Sequence, residues 1–151
     1  MKKAFTMIEL VFVVVILGIL ASVAIPKMGS AKNHADIAKG KTDVATIRSA
    51  ILTERQSQLI KGNNSFIDKL SSNNEILFTG NGDGRTLLTY GITAGTTDGK
   101  WSKDTDTNNT YYFNSNSLSI EFDYNQTNGQ FNCTRGDGTT DAQKTCRKLV
   151  D

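Results

Sequence analysis

The sequence predicts an α+β protein in which a long N-terminal helix packs on a small antiparallel β-sheet. Three observations support this. Residues 5–25 form an apolar run. Residues 26–60 place apolar side chains mostly three or four positions apart, which is the spacing of one helix face. Residues 61–151 are rich in Asn, Thr, Ser and Gly and contain short β-prone runs. The helix is therefore apolar in its first half and amphipathic in its second.

The apolar run is long enough to cross a membrane. At about 1.5 Å per helical residue, residues 5–25 span roughly 30 Å, the thickness of a bilayer's hydrocarbon core. Glu9 is the single carboxylate in this run. A charge at that depth costs on the order of 3 kcal/mol unless it meets a positive partner. The alternative is an ordinary single-pass anchor in which Glu9 lies near the headgroups.

A short basic leader, residues 1–4, precedes the run and ends in Ala4. A secretory signal peptide is cut after its apolar region, whereas this order predicts a cut between Ala4 and Phe5. That cut would create an α-amine at Phe5, four residues before Glu9 and on nearly the same helix face. In a neighbouring copy shifted along the helix axis, the amine would pair with Glu9, which predicts a polymer. The two lysines of the leader predict a cytoplasmic N-terminus.

The chain carries Lys-Lys-Ala-Phe-Thr-Met-Ile-Glu-Leu-Val at residues 2–11, Gly-Ile-Leu-Ala at residues 18–21, and Pro26. In these residues it resembles the type IV pilin and type II secretion pseudopilin superfamily. The resemblance implies a pilin-like fold, cleavage before Phe5 by a prepilin peptidase, and methylation of the Phe5 amine. It also implies that an inner-membrane assembly platform is a partner. The family usually has Gly where this chain has Ala4, so the efficiency of cleavage is open.

Glycine and proline positions predict how the helix is divided. Pro26 removes one helical hydrogen bond and predicts a kink without ending the helix. Gly29 and Gly40 each lower helix propensity by about 1 kcal/mol relative to Ala, so each marks either a bend or a merely tolerated glycine. Turn-forming residues at 61–64 predict the end of the helix. Residues 65–70 are expected to add one further short helical turn.

Four runs in the C-terminal part are predicted strands: residues 86–92, 110–113, 118–124 and 130–133. The third run alternates strictly and so places four apolar side chains on one face: Leu118, Ile120, Phe122 and Tyr124. Residues 125–129 are predicted to turn the chain into the last strand as a hairpin. Because the apolar face of this sheet needs a cover, we expect it to pack on the helix of residues 27–60.

Cys133 and Cys146 are the two cysteines of the chain. They fall in a part predicted to lie outside the cytoplasm, where a disulfide is the expected state. Closing a loop of about 14 residues contributes roughly 3 kcal/mol in the chain-entropy model. Two free thiols are the alternative, and a metal site would need more ligands than this pair. The pair also resembles, in position, the disulfide-bounded C-terminal loop of many type IV pilins.

An acidic loop provides the only candidate metal ligands. Asp104, Asp106 and Asn108 have the spacing that opens many calcium-binding loops. However, Asn109 stands where an EF-hand has Gly and Ser115 stands where it has Glu, so the loop is not an EF-hand. Calcium is therefore a weak candidate and a plain solvated turn is the alternative. No other cofactor is predicted.

Asn108 and Asn125 each begin an Asn-x-Thr triplet with Asp two residues before it. This extended form resembles the acceptor site of bacterial N-glycosylation systems, and both positions are expected on exposed loops or turns. The alternative is chance, because this part of the chain is rich in Asn, Thr and Asp.

Charge and motif content argue against two other classes of protein. The chain has 17 Lys plus Arg and 15 Asp plus Glu, and without the two leader lysines the counts are equal. Basic residues are scattered, so no direct nucleic-acid binding is predicted. The single histidine, His34, lacks a plausible nucleophile partner, and no Gly-rich phosphate loop is present. No enzymatic activity is predicted.

The leading hypothesis is a structural subunit that polymerises with itself and with other pilin-like subunits. The filament would be a type IV pilus or a type II secretion pseudopilus, serving secretion, DNA uptake, adhesion or motility. We expect a single-pass protein of the bacterial inner membrane with a periplasmic C-terminal domain, which enters a filament and can reach the cell surface. The alternative is a monomeric membrane-anchored periplasmic binding module.

Overall fold

The computed structural model describes residues 5–134 and 138–151, except for the side chain of Pro26. The chain divides into two compact units, one ending at Ala35 and the other comprising Asp36–Asp151. Helix α1, Met7–Ile60, is 54 residues long and contributes to both units. Ala4 lies outside the described residues. The cleavage between Ala4 and Phe5 therefore stays a prediction.

The first unit consists of the apolar part of α1. The helix is continuous through position 26, and the kink at Pro26 stays a prediction. Among the described residues, α1 is the one helix that is long and apolar enough to cross a membrane, judged by length and composition. Within the 18-residue window of α1 that is most apolar, no residue is buried inside the protein.

In the second unit, α1 is amphipathic as predicted. Val44, Ile47 and Ile51 are buried, because their three- and four-residue spacing places them on one helix face. The helix ends at Ile60 as predicted, where Gly62 has φ +83° and donates its N–H to the Leu59 carbonyl over 3.0 Å.

The additional helical turn predicted at residues 65–70 is wrong. This segment is irregular, although Ile67 and Leu70 are buried. The Ser65 N–H donates to Asn63 Oδ1 over 3.0 Å, a side-chain contact that competes with helical hydrogen bonding.

In the described residues, six strands form two antiparallel sheets. The first sheet pairs β1, Ile76–Leu77, with β2, Ile92–Thr93. The second has the order β3-β4-β5-β6, with these bounds: Trp101–Lys103, Thr110–Ser115, Leu118–Asn125 and Gln130–Cys133. In its register, Phe113 lies opposite both Trp101 and Ile120, so buried aromatic and aliphatic side chains share one face of the sheet.

The last three predicted strands are confirmed as β4, β5 and β6. Strand β5 buries alternate residues, and the Gly129 N–H closes the following turn on the Asn125 carbonyl over 2.8 Å. The predicted strand at residues 86–92 is wrong except for Ile92. The chain cannot continue as a strand there because Gly91 has φ +29° and Thr86 forms only an isolated bridge with Gly80. Strands β1 and β3 were not predicted.

A second helix, α2 at Asp141–Val150, was also not predicted. Its N-terminus is a capping box: the Gln143 N–H donates to Thr140 Oγ1 over 3.2 Å, and the Thr140 N–H donates to Gln143 Oε1 over 3.3 Å. Thr-x-x-Gln at residues 140–143 is the sequence signal that would have located it. The helix buries Cys146 and Leu149.

The core of the second unit lies between α1 and the four-stranded sheet. Six aromatic rings form its centre, with adjacent centroids 4.8–5.9 Å apart: Phe78, Trp101, Tyr111, Phe113, Phe122 and Phe131. Val44, Ile47 and Ile51 of α1 belong to the same buried cluster. The predicted α+β fold, with a long N-terminal helix packed on antiparallel strands, is confirmed.

Candidate assembly segment

The candidate functional segment is the apolar start of α1. From Phe5, which is 75% exposed, to Ile25, the large apolar side chains of this segment are exposed. Exposed apolar surface of this extent is stable only in lipid or against another protein. Glu9, the single carboxylate of the segment, lies in the first turn of the helix.

Thr6 and Glu9 form a reciprocal capping box at the helix N-terminus. The Glu9 N–H donates to Thr6 Oγ1 over 3.3 Å. In return, Thr6 donates to Glu9 Oε2 from its N–H over 3.3 Å and from its hydroxyl over 3.1 Å. A carboxylate in the first turn also interacts favourably with the positive end of the helix dipole. Glu9 is therefore held at the helix end, next to the predicted cleavage point.

Glu9 was predicted from the sequence as a functional residue, whereas Thr6 was not. The signal was present as Thr-x-x-Glu at residues 6–9, directly before an apolar run. Phe5 immediately precedes the cap. A carboxylate has about four lone-pair sites, so Glu9 can accept the Thr6 hydrogen bonds and still bind a cation from outside the helix.

Comparison with known proteins identifies this segment. Residues 1–25 match the family model described as the prokaryotic N-terminal methylation motif. The match covers 25 of the 151 residues, the segment in which the sequence resembles the type IV pilin and type II secretion pseudopilin superfamily.

Two relatives bear the name type II secretion system core protein G. The protein from Pectobacterium carotovorum subsp. carotovorum is 38% identical over 50 residues, which cover 33% of this chain and 32% of the relative. The protein from Klebsiella michiganensis is also 38% identical over 50 residues, 35% of its length. The matched part thus spans about a third of each of these relatives. No solved structure matches the chain significantly.

The predicted disulfide is confirmed. Cys133, at the end of β6, is bonded to Cys146 in α2 with a Cα–Cα distance of 5.9 Å. Both cysteines are buried. The bond fastens α2 to β6, an edge strand of the four-stranded sheet.

The calcium candidates lie in the loop between β3 and β4. Asp104 Oδ1 accepts the Asp106 N–H over 2.8 Å, and Asp104 Oδ2 accepts the Tyr112 hydroxyl over 3.2 Å. The Asp106 amide holds the pKa of the Asp104 carboxyl below its ordinary value. Asn108 is exposed. In the described part of the chain, no group of three or more His, Cys, Asp or Glu side chains could hold a metal ion, and calcium binding stays an untested prediction.

Asn108 and Asn125 are both exposed, as predicted for glycosylation sites. Asn108 lies in the loop between β3 and β4, and Asn125 is the last residue of β5. The Tyr124 N–H donates to the Asn109 carbonyl over 2.9 Å, so the structure brings the two sites together at one end of the sheet.

An open groove of about 1030 Å³ runs along α1 in the second unit. Much of its lining consists of small side chains, and the hydroxyls of Thr42, Thr46 and Thr53 donate to α1 carbonyls one turn earlier. Its one acidic residue, Glu54, binds Arg85. Lys41, Gln58 and Lys61 also line the groove.

Proposed function

We propose that the chain is a structural subunit that polymerises into a type II secretion-type pseudopilus. The observation that carries the proposal is the exposed apolar segment of residues 5–25 with Glu9 held at its start. The two relatives named type II secretion system core protein G support the choice of machine. Residues 1–25, which match the prokaryotic N-terminal methylation motif, contain most of the segment that would pack in the filament.

The assembly step exchanges lipid for protein around α1. Prepilin peptidase removes residues 1–4 and methylates the new amine of Phe5. Helix packing then replaces lipid around residues 5–25, and the Phe5 amine of one subunit pairs with Glu9 of its neighbour. The pairing offsets the cost of two charges in a medium of low dielectric constant.

The rest of the chain fits an exported domain. A disulfide persists in oxidising compartments such as the periplasm, and Cys133 and Cys146 form one. We therefore place the N-terminus in the cytoplasm and residues 36–151 in the periplasm. The partners are copies of this chain, other pilin-like subunits, prepilin peptidase and an inner-membrane assembly platform.

Mass spectrometry of the N-terminus is the first test of this proposal. Protein purified from membranes should begin with N-methylated Phe5. An intact Met1 in assembled or membrane-bound protein would contradict the proposal and favour the monomeric binding module.

Two substitutions at Glu9 separate its charge from its role in the capping box. Glu9→Leu removes both. Glu9→Gln keeps the cap, because Gln also occupies this position of a capping box, but it removes the charge. We expect both variants to accumulate in the membrane and to form no filaments, as scored by electron microscopy of sheared fractions. If Glu9→Gln assembles normally, the electrostatic pairing is wrong.

A type IV pilus is the second candidate filament. The disulfide between Cys133 and Cys146 near the C-terminus favours it, because it resembles the C-terminal loop of many type IV pilins. The two machines differ in where the filament lies. Immunogold labelling of intact cells should leave a periplasmic pseudopilus unlabelled and should label a surface pilus.

A further inference from the structure

The chain contains four Asn-x-Ser/Thr triplets, the general acceptor pattern for N-linked glycans. They begin at Asn63, Asn108, Asn125 and Asn132. All four asparagines are exposed, so exposure alone does not distinguish them. What distinguishes them is whether the rest of each triplet is already engaged in the folded domain.

At two of the triplets the hydroxyl is engaged. In the triplet of Asn63, Ser65 Oγ accepts a hydrogen bond from Arg85 Nη1 over 3.2 Å. In the triplet of Asn108, Thr110 lies within β4 and its Oγ1 donates to Asp123 Oδ1 over 2.9 Å. A transferase that must contact this hydroxyl would have to break these contacts first.

At Asn132 the carboxamide itself is engaged. Asn132 Oδ1 accepts a hydrogen bond from Arg48 Nη2 over 2.6 Å. The residue also lies in β6, paired with Asp123 of β5, and the middle residue of its triplet is the disulfide-bonded Cys133. Both the backbone and the side chain of this triplet are held in place.

Asn125 differs in where its side-chain hydrogen bond goes: it stays within its own triplet, whereas that of Asn132 is made to Arg48 of α1. Asn125 ends β5, where it pairs with Gln130 of β6, and the rest of its triplet lies in the exposed turn that follows. Asn125 Oδ1 accepts the Thr127 N–H over 2.8 Å, which folds the triplet into a compact turn and leaves the Thr127 side chain exposed. Asp123 stands two residues before it and is also exposed.

We propose that Asn125 is the position at which the folded chain accepts an N-linked glycan. The donor is a sugar linked to a lipid through pyrophosphate. Asn125 Nδ2 forms a bond to the anomeric carbon, and the bond from that carbon to the pyrophosphate oxygen breaks. The lipid pyrophosphate leaves with the electron pair, Nδ2 loses one proton to a base, and nothing is oxidised or reduced.

The glycan would project away from the packed side of the sheet. Burial alternates along β5, and Asn125 follows the exposed residues Glu121 and Asp123, whereas Ile120 and Phe122 face the core. A bulky hydrophilic group is therefore compatible with the fold at this position. In the cell the modification rests on the proposed function, because only an exported domain would meet a periplasmic transferase.

The test supplies the enzyme, so it depends on neither export nor filament assembly. The purified, disulfide-closed chain in detergent is incubated with a bacterial oligosaccharyl transferase and a lipid-pyrophosphate-linked oligosaccharide. Intact mass and glycopeptide analysis should show one added glycan, on Asn125. Asn125→Gln and Thr127→Ala should abolish the mass shift, and Thr127→Ser should keep it.

Asn108→Gln is the matched control and should leave the mass shift unchanged. Reduction and denaturation of the chain should release Thr110 from β4 and make Asn108 an acceptor as well. An unmodified Asn125, or equal modification of Asn108 in the folded chain, overturns the proposal. A chain that is modified at Asn125 but forms no filaments in cells would overturn the proposed function alone.

Discussion

Arg85 binds both carboxylate oxygens of Glu54, with 2.7 Å from Nε to Oε1 and 2.8 Å from Nη2 to Oε2. The two side chains are 12% and 4% exposed. Arg85 also donates to the Ser65 and Phe66 carbonyls, each over 3.1 Å. The hydrogen bond to Glu54 raises the pKa of Arg85. This bidentate pair therefore fastens the irregular segment after α1 to the helix itself.

Removing Arg85 should destabilise the second unit strongly. Arg85→Met leaves Glu54 as a buried, unpaired charge, which typically costs about 3–5 kcal/mol. Thermal unfolding in detergent should show a correspondingly lower Tm. Lys144→Met is the control, because it removes an ion pair to Asp141 that is exposed on both sides and contributes at most about 1 kcal/mol. Equal effects of the two substitutions would contradict this account.

Gly40 should not tolerate a side chain. A Cβ at this position would lie 2.6 Å from Phe113 Cζ and 2.7 Å from Leu149 Cδ2, both buried. Gly40→Ala should therefore lower the free energy of unfolding by about 1–3 kcal/mol despite the better helix propensity of Ala. A Cβ at Gly29 has no neighbour within 4 Å, so Gly29→Ala should be neutral or stabilising. Denaturant unfolding of both variants gives the comparison.

Two buried tyrosines should make the fold sensitive to alkaline pH. Burial raises the pKa of Tyr111 and of Tyr124 to about 12. Their hydroxyls donate to Ser71 Oγ over 3.1 Å and to the Ile67 carbonyl over 2.8 Å. An unfolded tyrosine ionises near pH 10. Because the folded pKa is the higher one, stability is intact below about pH 10 and is lost as the pH rises toward 12.

The measurement is the unfolding free energy between neutral pH and about pH 12. Lysines also titrate in this window, so the wild-type curve must be compared with that of the double variant Tyr111→Phe/Tyr124→Phe. The double variant should be less stable at neutral pH but should lose less stability on alkalinisation. Tyr90→Phe is the control, because Tyr90 is 91% exposed and its variant should follow the wild-type curve. Parallel curves for the double variant and the wild type would refute the assignment.

The capping box formed by Thr6 and Glu9 should stabilise the first turn of α1. Thr6→Ala removes the hydroxyl that bonds Glu9 and should destabilise the first turn by about 1 kcal/mol. Amide hydrogen exchange of residues 7–10 in detergent micelles should become several-fold faster. Thr6→Ser keeps the hydroxyl and should retain the wild-type protection. Unchanged exchange in Thr6→Ala would show that the cap contributes nothing in an apolar environment.

Sequence patterns were sufficient to predict a helix or strand where the element's own residues determine its structure. A continuous apolar run and helical spacing of apolar residues located α1, strict alternation located β5, and β-prone composition located β4 and β6. Short elements were harder to predict. Strands β1 and β3 were not predicted, and the strand predicted at residues 86–92 included only the first residue of β2, because two or three residues are too few for a period to be seen. Helix α2 and the Thr6 cap were missed although their capping boxes were visible in the sequence.

The apolar segment, its lone carboxylate Glu9 and the cysteine pair could be recognised without a structure, because composition and order along the chain define all three. Three other features became visible in the folded chain: Gly40 is a packing position, Arg85 binds Glu54, and the Thr110 hydroxyl of the Asn108 triplet is bonded to Asp123. Each of these depends on residues distant in sequence that come into contact in the fold, at α1 for Gly40 and Glu54 and between β4 and β5 for Thr110. The pattern of residues along the sequence does not predict these long-range contacts.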